Sequence, residues 1–355
     1  MVRGPASQAS LPPSNIVSTM QAVVFDQPGD PQSVLQVRDV ELGQPEHGEV
    51  LVRMLASPVN PSDLMFVRGE YTLKPELPAI PGFEGVGVVE ASGGGVLGRF
   101  MVGKRVAVLN RGGGNWAERT VLPARGVIPL PSWLSVDQAA TYFVNPASAV
   151  VMTRHVLAVP AGQWLLQTAA GSALGKMVVR LGRRFGFRTL CIVRRPDQVA
   201  ELQQLGADAV LAFDPDRDDL LEFVVKIRDI TGGQGVPFAI DPVGGATGSL
   251  VVKVLGRGAR MLVFGTLSGS ALTLAPRDLM SLDASISGFW LGNYMDSLKL
   301  LAKLKLVRQI SGLIREGVLG SDVGQRFPLS AIEDAVVAAQ QPARSGKVLL
   351  TICER

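Results

Sequence analysis

The residues with the clearest capacity for chemistry form a glycine-containing turn in the second half of the chain. An apolar run at residues 163–169 leads into the turn at 170–175, Ala-Gly-Ser-Ala-Leu-Gly, and a helical pattern follows. Such a turn can bring backbone N–H groups and the positive end of a helix dipole to a pyrophosphate. The pattern therefore favours a dinucleotide site, although a turn that merely joins a strand to a helix has the same appearance. The residues assigned to this site are Gly171, Ser172, Ala173, Leu174 and Gly175.

Two arginines after the next apolar run indicate which dinucleotide would bind. The run at residues 188–193 is followed by Arg194 and Arg195, where an NAD-binding chain would carry an acidic residue for the ribose. A guanidinium group suits the 2′-phosphate of NADPH because its planar fork makes charge-assisted, bidentate contacts. We therefore expect NADPH as the cofactor. A pair of solvated arginines in a surface loop is the alternative.

The elements that must position these residues change in character along the chain. From about residue 20 to residue 130, short β-like runs alternate with Gly- and Pro-containing turns, which is typical of a compact β-barrel-like domain. After Asn145, apolar runs alternate with helical patterns over short connections, as in the βαβ units of a doubly wound parallel sheet. The predicted fold class is therefore α/β, and the length of 355 residues favours two domains.

A second loop of the parallel sheet is also a candidate for cofactor binding. It follows the apolar run at residues 259–264, and the carboxyl ends of parallel strands form the side of such a sheet where ligands bind. The residues assigned to this loop are Phe264, Gly265, Thr266 and Leu267.

Composition and charge exclude several classes of protein. An apolar fraction of 47% is enough for packed cores, so the chain as a whole is not disordered. A net charge of +4 is too small to indicate binding to nucleic acid or to a membrane, and neither is expected as a partner. Two cysteines cannot build a disulfide framework and suit a reducing compartment. With only two histidines, far apart, no metal site is expected.

The first nineteen residues differ from the rest of the chain. They contain Pro, Ser and Gln but no apolar segment, and their single Arg3 makes a poor targeting signal. We therefore expect a flexible N-terminal extension at residues 1–19 and a cytoplasmic protein.

Several motifs resemble the medium-chain dehydrogenase/reductase superfamily, from Met20 to the C-terminus. Residues 81–89, PGFEGVGVV, and residues 103–106, GKRV, look like the quinone-oxidoreductase signature of that superfamily. Its zinc alcohol dehydrogenases carry a cysteine within the stretch that here reads Asn-Pro-Ser-Asp at residues 60–63, and a histidine where this chain has Phe83. Because both ligands are absent, the chain resembles the zinc-independent branch.

Three further stretches resemble the 2-enoyl thioester reductases of the mitochondrial type. They are residues 69–78, GEYTLKPELP, residues 144–146, VNP, and residues 287–291, SGFWL. The resemblance implies a GroES-like catalytic domain at residues 20–142 and 297–355, and a Rossmann NADPH-binding domain at residues 143–296. It also implies that Tyr71 donates a hydrogen bond or a proton to an enolate formed during reduction. A phenol with the ordinary pKa of about 10 is a donor at neutral pH; a tyrosine packed on Pro75 and Pro78 is the alternative.

The remaining candidates rest partly on this resemblance. Asn60 and Asn145 each precede a proline, which is typical of a helix N-cap. The resemblance adds a cofactor contact at Asn145, whereas Asn60 either touches the nicotinamide or only caps its helix. Lys347 stands where the family has a cofactor-contacting lysine, with a snorkelling surface lysine as the alternative.

The segment at residues 285–291 reads as an apolar edge strand of the Rossmann sheet. Its residues Phe289, Trp290 and Leu291 are candidates for a pocket wall that also contacts the cofactor, or for core packing alone. An unpaired apolar edge invites aggregation, and two-fold pairing of chains removes it. We therefore expect a homodimer that forms through this segment.

These observations lead to one leading hypothesis and two alternatives. The leading one is NADPH-dependent reduction of the C=C bond of an α,β-unsaturated carbonyl compound, as a 2-enoyl thioester on CoA or acyl carrier protein. A quinone or enone reductase with the same cofactor and fold is the first alternative. A non-catalytic NADPH-binding regulatory protein is the second, since a fold does not fix a function.

Overall fold

The computed structural model describes residues 19–341 and 346–353, and its contacts divide the chain into two compact units. The first unit takes in the chain up to Pro131, together with Phe327–Val337 and the chain from Leu350 onward. The second unit comprises Ser132–Arg326 and Ala338–Leu349. The expected N-terminal extension lies outside the described residues except for Thr19, where the first strand begins.

These boundaries differ from the predicted ones at residues 142/143 and 296/297. The second unit already includes residues 132–142 and still includes 297–326. Side-chain contacts explain the difference: the Tyr142 hydroxyl hydrogen-bonds the Ser311 hydroxyl at 2.6 Å, and Arg180 donates to the carbonyl of Gly320 at 3.0 Å. Both flanking segments therefore pack within the second unit.

The first unit is built mainly of antiparallel strands, as the short β-like runs predicted. Its strands are β1 (Thr19–Val24), β2 (Gln36–Glu41), β3 (Glu49–Pro58), β4 (Glu84–Ser92), β5 (Arg105–Leu109), β6 (Arg119–Pro123) and β7 (Val127–Pro129). Three short helices interrupt them: α1 (Pro31–Val34), α2 (Pro61–Val67) and α3 (Val96–Met101). Strand β3 is almost entirely buried, and its Val50, Val52 and Met54 form an apolar core with residues of β4, β5, β6 and β7.

The second unit alternates strands and helices around a parallel sheet. Its strands are β8 (Trp164–Gln167), β9 (Arg188–Val193), β10 (Ala209–Ala212), β11 (Val236–Asp241), β12 (Leu255–Val263) and β13 (Ser285–Gly288). Its helices are α4 (Val136–Ala140), α5 (Val144–Val150), α6 (Ala173–Phe185), α7 (Asp197–Leu205), α8 (Leu220–Ile230), α9 (Gly245–Lys253), α10 (Pro276–Met280), α11 (Leu291–Ser297) and α12 (Leu300–Arg315). The strand order is β10-β9-β8-β11-β12-β13. This is the doubly wound α/β arrangement that the sequence predicted.

Local sequence explains where the elements of this parallel sheet begin and end. Strand β8 is buried along its whole length, as expected for a strand with helices on both faces of its sheet. Helix α6 follows with Met177 and Val178 buried, and it ends at Gly186, whose φ of 78° is the left-handed conformation that favours glycine. A π-helical turn, Val151–Val156, extends α5.

The C-terminal part of the chain returns to the sheet of the first unit. This part of the chain contains β14 (Val323–Pro328), helix α13 (Ile332–Gln340) and β15 (Lys347–Thr351). The seven-stranded sheet has the order β14-β15-β3-β4-β5-β7, and β6 pairs with β3. The N–H of Ile352 donates to the carbonyl of Leu55 at 2.9 Å. The closing residues of the chain therefore complete a sheet that begins near its start.

A helix that spans a membrane needs about 20 consecutive, predominantly apolar residues. Over residues 19–341 and 346–353, no helix combines the length and the apolar composition needed to cross a bilayer.

Candidate functional site

The turn after β8 has the geometry of an anion-binding helix N-terminus. Ser172 is the N-cap of α6, and its hydroxyl accepts a hydrogen bond from the N–H of Gly175 at 3.1 Å. The N–H groups of Ala173 and Leu174 lie in the first turn, where a helix offers them no internal acceptor. A helix start of this kind, with its dipole, is suited to an anion such as a pyrophosphate, and the binding of one here stays a prediction.

Gly175 is the glycine of this turn that the packing requires. A methyl group at this position would lie 2.3 Å from the carbonyl oxygen of Ala170, much closer than van der Waals contact. Only glycine lets the first turn of α6 approach the backbone at the end of β8 this closely. A methyl group on Gly171 would lie 2.2 Å from the side-chain amide of Gln198. This amide is the end of a flexible side chain and can move away. Gly175 thus sets the close approach of α6 to the end of β8, and binding of a dinucleotide at this turn stays a prediction.

Buried polar side chains that the sequence prediction missed hold this turn in place. The amide of Gln167 donates to the Gly175 carbonyl at 3.0 Å and to the sulfur of Cys191 at 3.3 Å. Burial raises the pKa of the Cys191 thiol to about 12, so it stays protonated and is a packing residue rather than a nucleophile. Gln167 is the one polar residue among the four residues of β8. This departure from an apolar strand was the sequence signal for its role.

A second missed residue, Asp241, ties the turn to the neighbouring strand. It is fully buried at the end of β11, and its carboxylate accepts from the hydroxyl of Thr168. The same carboxylate accepts from the N–H groups of Val243 and Gly244 at 3.0 and 2.9 Å. A charged residue at the end of an apolar strand, before two glycines, was the sequence signal for this position.

Arg194 and Arg195 follow β9, as predicted, and both are already paired with carboxylates. The Arg194 side chain is 69% exposed and lies 3.5 Å from Asp214 and 3.3 Å from Asp216. Arg195 is 29% exposed and makes a bidentate contact with Asp197 at 3.0 and 2.8 Å. Both arginines therefore follow the carboxyl end of β9, but a 2′-phosphate would have to compete with these aspartates.

The loop after β12 lies at the same edge of the sheet as the turn. The N–H of Phe264 donates to the Asp241 carbonyl at 2.9 Å, and the N–H of Leu267 donates to the Pro242 carbonyl at 3.0 Å. A methyl group on Gly265 would meet the Pro242 carbonyl oxygen at 2.6 Å, so glycine is needed here as well. The loop is thus held against the end of β11, with Thr266 exposed.

The structure corrects the secondary structure predicted for residues 289–291. Strand β13 is the edge strand of the sheet, but it ends at Gly288, and Leu291 begins α11. The N–H of Phe289 still donates to the Val263 carbonyl at 2.8 Å. Phe289, Trp290 and Leu291 are half-buried, so they are neither edge-strand residues nor core residues. They lead from β13 into α11, beside the end of β12.

Asn145 does not cap its helix. Helix α5 begins at Val144 with Phe143 at the N-cap, so Asn145 and Pro146 both lie in the first turn. The prediction failed because proline is tolerated anywhere in the first helical turn, where its missing N–H is not needed. Asn145 is half-buried, and its position next to a helix N-terminus is compatible with the expected cofactor contact.

Lys347 is the first residue of β15 and is buried, with 5% of its surface exposed. The alternative of a snorkelling surface lysine is therefore wrong. Its N–H donates to the carbonyl of Asp322 at 2.7 Å. A contact between Lys347 and a cofactor stays a prediction.

In the first unit, Tyr71 lies in the loop after α2 and packs on an aromatic cluster. Its N–H donates to the carbonyl of Met65 at 3.2 Å, which attaches the loop to α2. Its ring lies 5.3 Å from the ring of Phe83, which in turn contacts Phe66 at 5.2 Å, as measured between ring centroids. The Tyr71 ring therefore packs on Phe83, and the residue is half-buried.

Asn60 is the N-cap of α2, as its position before Pro61 predicted. Its N–H donates to the Asp63 carboxylate at 2.8 Å, and its side-chain amide donates to Glu84 at 3.0 Å. The second carboxylate oxygen of Asp63 accepts from the N–H of Phe83 at 3.0 Å. Three buried polar residues therefore fix the start of α2 and the position of Phe83, and through its ring that of Tyr71.

Comparison with known proteins decides the family. The family model of the alcohol dehydrogenase GroES-like domain matches residues 46–132, and that of the zinc-binding dehydrogenase matches residues 173–305. The mitochondrial enoyl-[acyl-carrier-protein] reductase of Rattus norvegicus is 32% identical over 340 residues, which is 94% of this chain and 89% of the relative. The corresponding protein of Homo sapiens is 31% identical over 98% of this chain and 93% of its own. The chain belongs to the medium-chain dehydrogenase/reductase superfamily.

Solved structures of this superfamily share the whole fold. A putative NADPH:quinone reductase from Bacillus thuringiensis superimposes with a TM-score of 0.86 at 32% identity, and covers 94% of this chain and 99% of its own. An Etr1p complex with NADP and crotonyl-CoA gives a TM-score of 0.79 at 27% identity, with 94% and 100% coverage. This superfamily member is therefore an oxidoreductase with a GroES-like unit and a Rossmann unit.

The chain lacks the zinc ligands of its superfamily at the two positions compared above. Asn60 and Phe83 stand there, and the nearby carboxylates of Asp63 and Glu84 are engaged with backbone and amide groups. Within the part of the chain that the structure describes, no three His, Cys, Asp or Glu side chains are grouped to hold a metal ion. Activity that needs no metal stays a prediction.

Proposed function

We propose that this superfamily member reduces the C=C bond of a 2-enoyl thioester with NADPH. The observation that carries the proposal is the Tyr71 phenol, held half-buried on Phe83 by the network of Asn60, Asp63 and Glu84. Bound NADPH would supply the hydride that adds to the β-carbon of the substrate. Negative charge then develops on the thioester oxygen, and a neutral phenol is a suitable donor to that oxygen. A proton added to the α-carbon completes the saturated product.

NADPH, rather than NADH, is proposed because of Arg194 and Arg195. The Rossmann turn supplies N–H groups for the pyrophosphate, and the two arginines follow the strand next to it. A 2′-phosphate carries more charge than one carboxylate, so it can displace Asp216 from the exposed Arg194. The relatives named above include structures that contain NADP or are named for NADPH, which supports the proposal.

The arginine pair gives a measurable prediction about cofactor choice. Changing Arg194 and Arg195 together to alanine is expected to raise KM for NADPH by about tenfold or more, because charge-assisted hydrogen bonds of about 1.5–3 kcal/mol are lost. KM for NADH should change little, since NADH lacks the 2′-phosphate. Arg217→Ala is the matched control, because Arg217 contacts the same Asp214 at 3.8 Å and is 83% exposed. Equal KM values for both nucleotides in the unmodified enzyme would disprove the preference.

An NADPH-oxidation assay with crotonyl-CoA beside a benzoquinone tests the function itself. Faster oxidation with crotonyl-CoA is the expected result. Faster oxidation with the quinone would favour the quinone or enone reductase, the alternative that the B. thuringiensis structure supports. Oxidation with neither, together with binding of NADPH, would favour the non-catalytic regulatory protein.

We also propose that the oxidoreductase is a homodimer that pairs along β13. This strand is an edge of the parallel sheet, and an unpaired edge is a template for a second chain. Light scattering at micromolar concentration is expected to give twice the mass of 37.6 kDa. A monomer at that concentration would refute the pairing. A cytoplasmic location stays part of this proposal, although the relatives named above are mitochondrial.

A further inference from the structure

The outward face of α12 combines exposed leucines with unpaired cations. The inward face of this 16-residue helix is buried through Leu306, Ile310, Leu313 and Ile314. On the opposite face, Leu300, Leu301 and Leu304 are 71%, 74% and 56% exposed. Single exposed leucines are common on protein surfaces, but three leucines on adjacent positions of one helix face form an apolar patch, which is typical of an interaction site.

The charge on this face has one sign. Lys305, Arg308 and Arg315 are exposed and follow the leucines along the same face at helical spacing. The sequence holds no Asp or Glu from residue 297 to residue 315. Within the described residues these three cations have no carboxylate partner, and the next acidic residue, Glu316, pairs with Arg184 at 2.8 Å. The described part of the chain therefore does not neutralise the positive charge of this face.

We propose that this face, defined as Leu300, Leu301, Leu304, Lys305, Arg308 and Arg315, docks an acidic acyl-carrier domain that delivers the enoyl thioester. The inference rests on the proposed function, because a thioester substrate is carried either on CoA or on a carrier protein. A domain with acidic side chains beside an apolar contact matches both halves of the face. Helix α12 belongs to the second unit, which also carries the turn after β8 and the loop after β12 that are proposed to bind the cofactor.

Other occupants match the face less well. A second copy of the chain, docked through the same face by a two-fold axis, would bring like charges together. Helices that bind a lipid surface carry an apolar stripe along their full length. On α12 the exposed leucines stop at Leu304, and the rest of the face is formed by cations and Gly312. Free CoA would engage the cations but would leave the three leucines in water.

Paired substrates and matched variants test the docking. Steady-state rates are measured with crotonyl-CoA and with a crotonyl-loaded acyl carrier protein, for the unmodified enzyme, Leu301→Gln and Arg308→Glu. The controls are Leu221→Gln and Arg228→Glu on α8, because Leu221 is 75% exposed, which matches Leu301, and Arg228 is likewise exposed. We expect Leu301→Gln and Arg308→Glu to raise KM for the carrier substrate about tenfold. Their kcat values, their KM for crotonyl-CoA and both controls should stay unchanged.

Several results would overturn the docking face. Unchanged KM for the carrier substrate would do so, as would equal changes for both thioesters, which would indicate a general structural effect. Arg308-dependent sedimentation with vesicles of phosphatidylglycerol and phosphatidylcholine would assign the face to a lipid surface instead.

Direct binding separates this inference from the proposed function. The fluorescence anisotropy of labelled acyl carrier protein is titrated with unmodified enzyme and with Arg308→Glu. If neither thioester is reduced but binding depends on Arg308, the docking face stands and the proposed function fails. If crotonyl-CoA is reduced but binding does not depend on Arg308, the function stands and the docking face fails.

Discussion

Replacing Tyr71 with phenylalanine is expected to lower kcat for crotonyl-CoA about 10²–10³-fold, with Kd for NADPH unchanged. The loss of one donor to a developing oxyanion costs about 2.7–4 kcal/mol, which corresponds to this range. The phenylalanine ring keeps the contact with Phe83 at 5.3 Å between centroids, so the loop should keep its position. Single-turnover rates and NADPH fluorescence titrations measure the two quantities separately.

Tyr294→Phe is the matched control for this experiment. Tyr294 is one of three tyrosines in the chain, and its hydroxyl hydrogen-bonds the ring of His155 at 3.0 Å in the second unit. Its replacement removes the same atom but should leave kcat unchanged. An unmodified rate for Tyr71→Phe with crotonyl-CoA would remove the main support for the enoyl-reductase proposal. If quinone reduction is then also unchanged, the quinone reductase becomes the better assignment, because a quinone can take its protons from solvent.

Gly175→Ala is expected to weaken both folding and NADPH binding. The new methyl group would lie 2.3 Å from the carbonyl oxygen of Ala170, so α6 must move away from the end of β8. Overpacking of this kind costs about 1–3 kcal/mol in the free energy of unfolding. Because the same shift displaces the N–H groups of Ala173 and Leu174, Kd for NADPH should rise at least about tenfold. Urea unfolding and fluorescence titration give the two values.

Gly312→Ala should have the opposite effect on stability. Gly312 is also inside a helix, but an added methyl group there meets no atom within 4 Å. Alanine is the better helix former by about 0.8–1.0 kcal/mol, so this variant should be slightly more stable than the parent. A stabilised Gly175→Ala variant would show that the first turn of α6 does not need its close approach to β8.

The periodicity of the sequence was sufficient to predict the Rossmann unit. Buried parallel strands are continuous apolar runs, and the helices between them carry clear start and stop residues such as Ser172 and Gly186. The apolar run at residues 188–193 is the observed β9, and the helical pattern after the turn at 170–175 is the observed α6. These elements depend mainly on neighbours in the sequence, so the sequence contains their signal.

Features that depend on distant contacts could not be predicted. The hydrogen bond from the Asn60 amide to Glu84 joins residues 24 positions apart, and the sequence context of Asn60 predicted only its role as the N-cap of α2. The aspartates that pair with Arg194 lie on the connection after β10, about 20 residues further along the chain. At residues 289–291, large apolar side chains resemble a strand, but the sheet ends at Gly288 and the chain turns into α11. Tertiary context decided each of these cases.

The bond from Ile352 to Leu55 has a consequence for synthesis on the ribosome. The two residues are separated by about 300 positions, so the sheet that contains β3 cannot be completed until nearly the whole chain has emerged. At translation rates of about 5–20 residues per second, the nascent β3 waits about 15–60 s for its last neighbour. The Rossmann strands have all left the ribosome before that moment and can assemble first. During this interval β3 lacks its neighbour β15, whereas its apolar side chains already pack against residues between Val89 and Val127.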